Sequence, residues 1–91
     1  MNITGRVTSV QVFENRKNLF ILHVNADEYS GSFNSDFSCI RLDGELPVRA
    51  SCIARFVESR HVVARLVGVD DSTGGTGSRK CERIELQTVL E

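Results

Sequence analysis

The sequence is poor in features that mark several functional classes. It has no tryptophan and a single proline among 91 residues. It also has no apolar run of about 18 residues, so we expect no membrane span. The first ten residues, MNITGRVTSV, lack a basic segment followed by an apolar one, which predicts that there is no secretory signal. We therefore expect one cytoplasmic domain over residues 1–91.

A large excess of charge of either sign is also missing. Eleven basic and twelve acidic residues give a net charge of −1, whereas domains that hold nucleic acid by bulk charge are usually basic. Nine of the eleven bases are arginine, which stacks on bases and pairs with phosphates in ways that lysine does not. Their effect depends on whether they share one face or pair with acids.

Cysteine and histidine are too few and too scattered to indicate a metal or an enzyme. Cys39, Cys52 and Cys81 show no Cys-x-x-Cys or Cys/His spacing, so we predict buried thiols and no metal. His23 and His61 have no neighbouring Ser or Cys in an arrangement that would form a nucleophile and a base. We expect a non-catalytic protein without a cofactor.

Period-2 alternation is what the sequence does contain, and it predicts an all-β fold. We expect a small closed or partly open antiparallel β-barrel of five to six strands with little or no helix. The first strand must contain a bulge near Thr8–Ser9, because Ile3 and Val7 share one parity while Val10 and Val12 share the other. The predicted strands cover residues 2–13, 19–26, 37–42, 48–57, 62–69 and 81–90.

The clearest alternation is VRASCIARFV, residues 48–57. It predicts a strand with Cys52 and Phe56 on its core face. Arg49 and Arg55 then lie on the outer face with Ile53 between them. Phe13, Phe20 and Phe37 are also predicted core residues.

Two segments between the predicted strands carry candidate binding residues. Residues 27–36, DEYSGSFNSD, contain Tyr29 and Phe33, which either stack on a ligand or fold back under their own loop. Residues 70–80, DDSTGGTGSRK, do not fit a phosphate-binding P-loop, because the lysine is misplaced and a strand follows. This stretch is predicted to be a flexible hairpin loop, or a mobile arm whose basic end touches an anionic backbone.

The bent first strand with NITGRVTSV, the apolar LFILHVNA, the long 2–3 and 4–5 loops and the final CERIELQTVL together resemble the OB-fold. They are most similar to bacterial single-stranded-DNA-binding proteins and primosomal proteins of the PriB type. The OB-fold commonly carries a helix between its third and fourth strands. Here only DGELP is left for that helix, which is too short, so the sequence departs from the family at this point and predicts a barrel without the helix.

The resemblance implies a single-stranded nucleic-acid-binding module, with DNA favoured over RNA. In that fold the single-stranded nucleic acid lies across the face of β-strands 2–3, between the 1–2 and 4–5 loops. Aromatic stacking and basic side chains along the backbone supply the affinity. The residues expected to bind are Arg16, Lys17, Tyr29, Phe33, Arg41, Arg49, Arg55, Arg79 and Lys80.

Other functions stay open at this point. A protein-interaction or assembly barrel in replication, conjugation or phage biology would use apolar residues on the outer faces, predicted as Ile53, Val57, Val63 and Val67. A ligand-free tail or capsid barrel is a third interpretation. Under the first two hypotheses we expect a homodimer or a higher oligomer.

Overall fold

The computed structural model describes residues 1–13, 19–25, 30–45, 49–70 and 78–89. Over these ranges the fold is mostly β. The strands are β1 (Asn2–Phe13), β2 (Leu19–Asn25), β3 (Ser30–Asp36), β4 (Ile40–Leu42), β5 (His61–Val67), β6 (Arg79–Lys80) and β7 (Arg83–Thr88). A 3₁₀ turn, η1 (Phe37–Cys39), joins β3 to β4, and one helix, α1 (Ala50–Val57), lies between β4 and β5.

The described strands form one seven-stranded sheet in the order β4-β7-β5-β1-β2-β3-β6, which is not closed. Most neighbours are antiparallel, but β3 pairs with β6 and β4 pairs with β7 in parallel. The prediction of a β-rich fold is confirmed, whereas the prediction of antiparallel pairing throughout is wrong.

The first strand behaves as its sequence predicts. Its N-terminal half pairs with β5 and most of its length pairs with β2, and the register shifts between Val7 and Ser9. The extra residue, Thr8, is the predicted bulge. It shifts the alternation by one residue, so the apolar side chains before it and those after it can all face the core. Ile3 and Val7 are buried, and Val10 and Val12 pack against the same core from partly buried positions.

The prediction of a strand over residues 48–57 is wrong, because Ala50–Val57 is an α-helix. Ala50, Ile53, Ala54 and Val57 are buried, a spacing of i, i+3, i+4 and i+7 that places one helical stripe against the core. Cys52 and Phe56, predicted to face the core, are exposed. One eight-residue helix agrees with the expectation of little helix, whereas the expectation that no helix lies between the predicted third strand and the strand after α1 is wrong.

The third strand begins earlier than predicted. Residues 30–36 form β3 and pair with β2 along its whole length, although Ser, Gly and Asn are poor strand formers. The predicted strand 37–42 is a 3₁₀ turn followed by the three residues of β4. No helix in the described ranges has the length and apolar character needed to cross a membrane.

The core fills the space between the inner faces of the strands and α1. Its largest fully buried side chains include Phe20, Phe33, Leu22, Ile40, Ile53, Leu66, Ile84 and Leu86. Phe20 is a core residue as predicted, and Phe37 packs against the core. Phe13 keeps 49 % of its surface exposed, so its assignment to the core is wrong. The three cysteines are free, and only Cys81 is buried, so the prediction of three buried thiols is also wrong.

Candidate nucleic-acid interface

The outer face of β1, β2, β3 and β6 is defined by the strand registers, because directly paired residues project from the same side of a sheet. Four rows of paired residues cross it, and three of them form the candidate site. The first contains Phe13, Leu19 and Asp36; the second contains Gln11, Ile21, Asn34 and Lys80; the third contains Ser9, His23 and Ser32. We call this set of residues the β1–β3 face.

The first two rows combine an aromatic ring, apolar side chains and a cation. Phe13 is 49 % exposed and lies beside half-buried Leu19. Lys80 is exposed at the far end of the second row. Since neighbouring strands are about 4.8 Å apart, Lys80 lies roughly 14 Å from the β1 end of its row. This separation is on the scale of a few nucleotides of an extended strand.

The third row is held by hydrogen bonds through His23. Its Nδ1 is 2.6 Å from Ser32 Oγ and its Nε2 is 3.1 Å from Gln11 Oε1. An amide oxygen only accepts, so Nε2 carries a proton, and in the neutral ring Nδ1 accepts from the Ser32 hydroxyl. The Thr8 hydroxyl in the bulge donates to the backbone oxygen of His23 at 3.2 Å. These bonds position the imidazole on the face.

Lys80 is positioned by the short strand β6. Asn34 Nδ2 donates to Ser78 Oγ at 2.6 Å, and Cys81 N donates to Asn34 O at 2.8 Å. Arg79 shares the parity of buried Cys81, so it leaves β6 on the opposite side from Lys80. The prediction that both bases lie in a loop is wrong for these two residues; residues 71–77 of that loop lie outside the described ranges.

One acid lies on the β1–β3 face at the end of the first row. Asp36 is exposed and accepts hydrogen bonds from Ser38 N at 3.0 Å and Ser38 Oγ at 2.9 Å. These two bonds, the backbone one first, lower the pKa of Asp36, so its negative charge persists. It opposes the binding of phosphate at this corner.

The predicted site residues do not all share this surface. Phe33 is 1 % exposed on the inner side of β3, so its assignment as a stacking residue is wrong. Lys80 is on the β1–β3 face, and Arg49 and Arg55 lie at α1. Arg16, Lys17 and Tyr29 fall outside the described residues.

Arg41 lies in a different place, an open pocket of about 650 Å³ on the β4, β5 and β7 side of the sheet. Its Nη1 donates to Ser38 O at 2.6 Å and to Ile40 O at 3.1 Å. Glu85 lies in the same pocket, with Oε2 3.7 Å from Arg65 Nη1 and 3.9 Å from Arg83 Nε. The pocket therefore carries its own acid among the arginines.

Arg49 precedes α1, Arg55 lies in its last turn and Arg60 follows it; all three are exposed, and Phe56 is 44 % exposed. The Arg60 guanidinium carbon is 4.7 Å from the centre of the Phe56 ring. The sequence interpretation missed both Phe13 and Phe56 because each was assigned to the core. One signal in the sequence would have predicted that Phe56 faces solvent. It is the helical spacing of Ala50, Ile53, Ala54 and Val57.

The outer apolar residues predicted for a protein-interaction surface are also redistributed. Ile53 and Val57 are buried, and Val63 and Val67 are half-buried. Within the described ranges, no group of three or more His, Cys, Asp or Glu side chains is placed to hold a metal ion. No protein-family model, curated protein or solved structure matches the chain significantly.

Proposed function

We propose that this protein is a non-catalytic module that binds single-stranded nucleic acid, with DNA favoured, on the β1–β3 face. The observation that carries the proposal is the exposed ring of Phe13 on the same face of the sheet as exposed Lys80. Base–aromatic stacking contributes about 1–3 kcal/mol per base, and a cation on the same face attracts the phosphate backbone. Gln11 and Asn34 add hydrogen-bonding groups between the two.

A partly open, OB-like barrel is the architecture that we propose for this module. Three pairing features support it. β1 is bent and pairs with both β2 and β5. Only η1 separates β3 from β4, and only residues 81–82 separate β6 from β7. Each pair therefore forms one interrupted strand. The two interrupted strands run parallel, with β3 paired to β6 and β4 paired to β7. Counted this way there are five strands, with α1 between the third and the fourth.

The location of the face also supports the proposal. In the OB-fold, oligonucleotides lie across strands 2–3 with loops on either side. The five residues between Phe13 and Leu19 include Arg16 and Lys17, and residues 71–77 lead to Ser78, which is bonded to Asn34. The two sequence segments predicted to flank the ligand thus join the described chain at the edges of the β1–β3 face.

Fluorescence anisotropy with labelled oligo-dT and oligo-rU, measured over a series of salt concentrations, tests the proposal. We expect binding at low salt that weakens as salt rises, because counterions are released from the strand. Phe13→Ala should weaken binding about tenfold, the equivalent of 1.4 kcal/mol. Lys80→Ala should reduce the slope of log K against log salt by about 0.7.

Val89→Ala is the matched control, since Val89 is an exposed apolar residue at the end of β7, away from the β1–β3 face. It should bind like the unmodified protein. Absence of binding to both oligonucleotides at low salt would refute the proposed function.

The apolar corner of Phe13, Leu19 and Ile21 also favours the second candidate function, a protein-interaction module, because a partner could cover it. A second copy of the chain, giving the expected homodimer, is the simplest partner. Multi-angle light scattering separates the two candidates. If Phe13→Ala lowers the molar mass and leaves oligonucleotide binding intact, the corner is a subunit contact.

A further inference from the structure

The solvent side of α1 carries a set of side chains that the β1–β3 face does not use. Because α1 buries its Ala50–Ile53–Ala54–Val57 stripe, Cys52, Arg55 and Phe56 point outward. Arg49 is exposed at the start of the helix and Arg60 just after its end. We call Arg49, Cys52, Arg55, Phe56 and Arg60 the α1 surface.

The Arg60–Phe56 pair is held in place by the backbone around it. Arg60 N donates to Val57 O at 3.0 Å, and Arg60 O accepts from Val7 N at 2.9 Å. The guanidinium therefore reaches the Phe56 ring from an anchored residue, at 4.7 Å. The ring remains 44 % exposed, which leaves room for a base to stack beside a cation.

The charge of this region differs from that of the rest of the chain. Residues 49–60 contain three arginines and one glutamate, a net charge of +2. The whole chain has a net charge of −1, so the other residues together carry −3. Arg6 adds a further cation at this end, where its Nη1 donates to Ser59 O at 2.9 Å.

The bulge of β1 connects the α1 surface to the β1–β3 face. Ser59 N donates to Val7 O at 2.8 Å, which places the turn after α1 directly against β1. The next residue, Thr8, donates to the backbone oxygen of His23 in the third row of the face. A strand that crosses the face toward Ser9 and His23 therefore arrives beside the turn that carries Arg60.

We propose that the α1 surface binds the same single-stranded nucleic acid, as a continuation of the path over the β1 bulge; this inference rests on the proposed function. The bases stack at Phe13 and at Phe56, while Arg49, Arg55 and Arg60 contact the phosphates. A second copy of the chain is a poor occupant, because a symmetric dimer through this surface would bring two sets of three arginines together.

The test is the dependence of affinity on oligonucleotide length. Short oligo-dT of about four to six nucleotides occupies the β1–β3 face alone, and longer oligo-dT of about fifteen reaches both surfaces. We expect Phe56→Ala to weaken binding of the long oligonucleotide about tenfold and to leave the short one unchanged. The double variant Arg49→Ala/Arg55→Ala should lower the salt slope by about 1.4, for the long oligonucleotide only.

Phe13→Ala and Glu45→Gln provide the comparison. Phe13→Ala should weaken the binding of both lengths, and Glu45→Gln, at an exposed acid beyond β4, should weaken neither. One outcome would refute binding to the α1 surface and leave the proposed function standing. In that outcome Phe13→Ala weakens binding, but Phe56→Ala and the arginine double variant leave binding of the long oligonucleotide unchanged. Absence of binding to either length refutes both. A lower molar mass of Phe56→Ala by light scattering also refutes binding to the α1 surface, because it assigns Phe56 to a contact between copies.

Cys52 offers a direct second measurement, since its exposed thiol lies one helical turn before Phe56. A maleimide fluorophore on Cys52, in a Cys39→Ser background, should change its emission on binding the long oligonucleotide but not the short one. An unchanged signal with the long oligonucleotide, at concentrations where anisotropy shows saturation, would contradict the proposal.

Discussion

His23 Nδ1 lies 2.6 Å from Ser32 Oγ across the β2–β3 ladder, and the opposite ring nitrogen faces Gln11 Oε1. This arrangement predicts that the neutral ring carries its proton on Nε2. Long-range nitrogen–proton NMR correlation on the folded protein should show that tautomer. Ser32→Ala should lower the free energy of unfolding by about 1 kcal/mol and weaken the preference for the tautomer protonated on Nε2. A neutral ring protonated on Nδ1 would contradict the geometry.

A second prediction concerns Asp36. Asp36→Asn removes a negative charge from the β3 end of the row that begins at Phe13, and it keeps an oxygen that accepts from Ser38. We expect about threefold tighter oligonucleotide binding at low salt, since the repulsion of phosphate is lost, and a smaller gain as salt screens the charge. Anisotropy titrations measure this. Glu45→Gln, an exposed acid beyond β4, is the control and should change affinity little.

A third prediction tests the helix against the strand that the alternation suggested. Ile53→Ala should destabilise the protein by about 2–4 kcal/mol, because Ile53 is 1 % exposed on the buried stripe of α1. Cys52→Ala should change stability by no more than about 0.5 kcal/mol, because Cys52 faces solvent. Urea unfolding provides both values. The reverse order of effects would support the strand.

The fourth prediction follows from the burial of Cys81. Burial raises the pKa of the Cys81 thiol to about 11 from an ordinary value of 9.0. Between these values the unfolded chain loses this proton while the folded protein keeps it, so stability should fall as pH rises from about 9 toward 11. Urea unfolding of the protein and of Cys81→Ala isolates this contribution.

The same burial predicts the order of thiol reactivity. With a chromogenic disulfide reagent at pH 8, exposed Cys52 should react first and Cys81 last, because the reagent needs an accessible thiolate. Cys52→Ala should remove the fast phase. Rapid modification of Cys81 in the folded protein would contradict its placement in the core.

The parts of the fold that the sequence predicts well are those in which apolar residues alternate over a long stretch. β1 with its bulge near Thr8, β2, β5 and the alternation of Ile84 and Leu86 in β7 are confirmed. α1 was predicted as a strand because Ala50 and Ala54 satisfy both a period of two and a period of 3.6. Burial of Ile53 against the core decides between them.

Sequence patterns could not predict β3, for a different reason. Its serines, glycine and asparagine have little preference for a strand, and the strand exists because seven residues pair with β2. This pairing takes Phe33 into the core and removes it from the candidate site. Phe13 and Phe56 take its place as exposed rings, since whether an aromatic residue faces the core or solvent depends on tertiary packing.

The two parallel ladders also bear on how the chain reaches its native state. Phe33 pairs with Arg79, and Ile40 pairs with Ile84, so each contact closes a loop of more than forty residues. Such closure loses much chain entropy before any contact compensates for it, and proteins rich in distant pairings fold in milliseconds to seconds. The segment from Arg79 to Thr88 should therefore dock last in folding. Until it docks, the edges of β3 and β5 remain open to pairing with other chains.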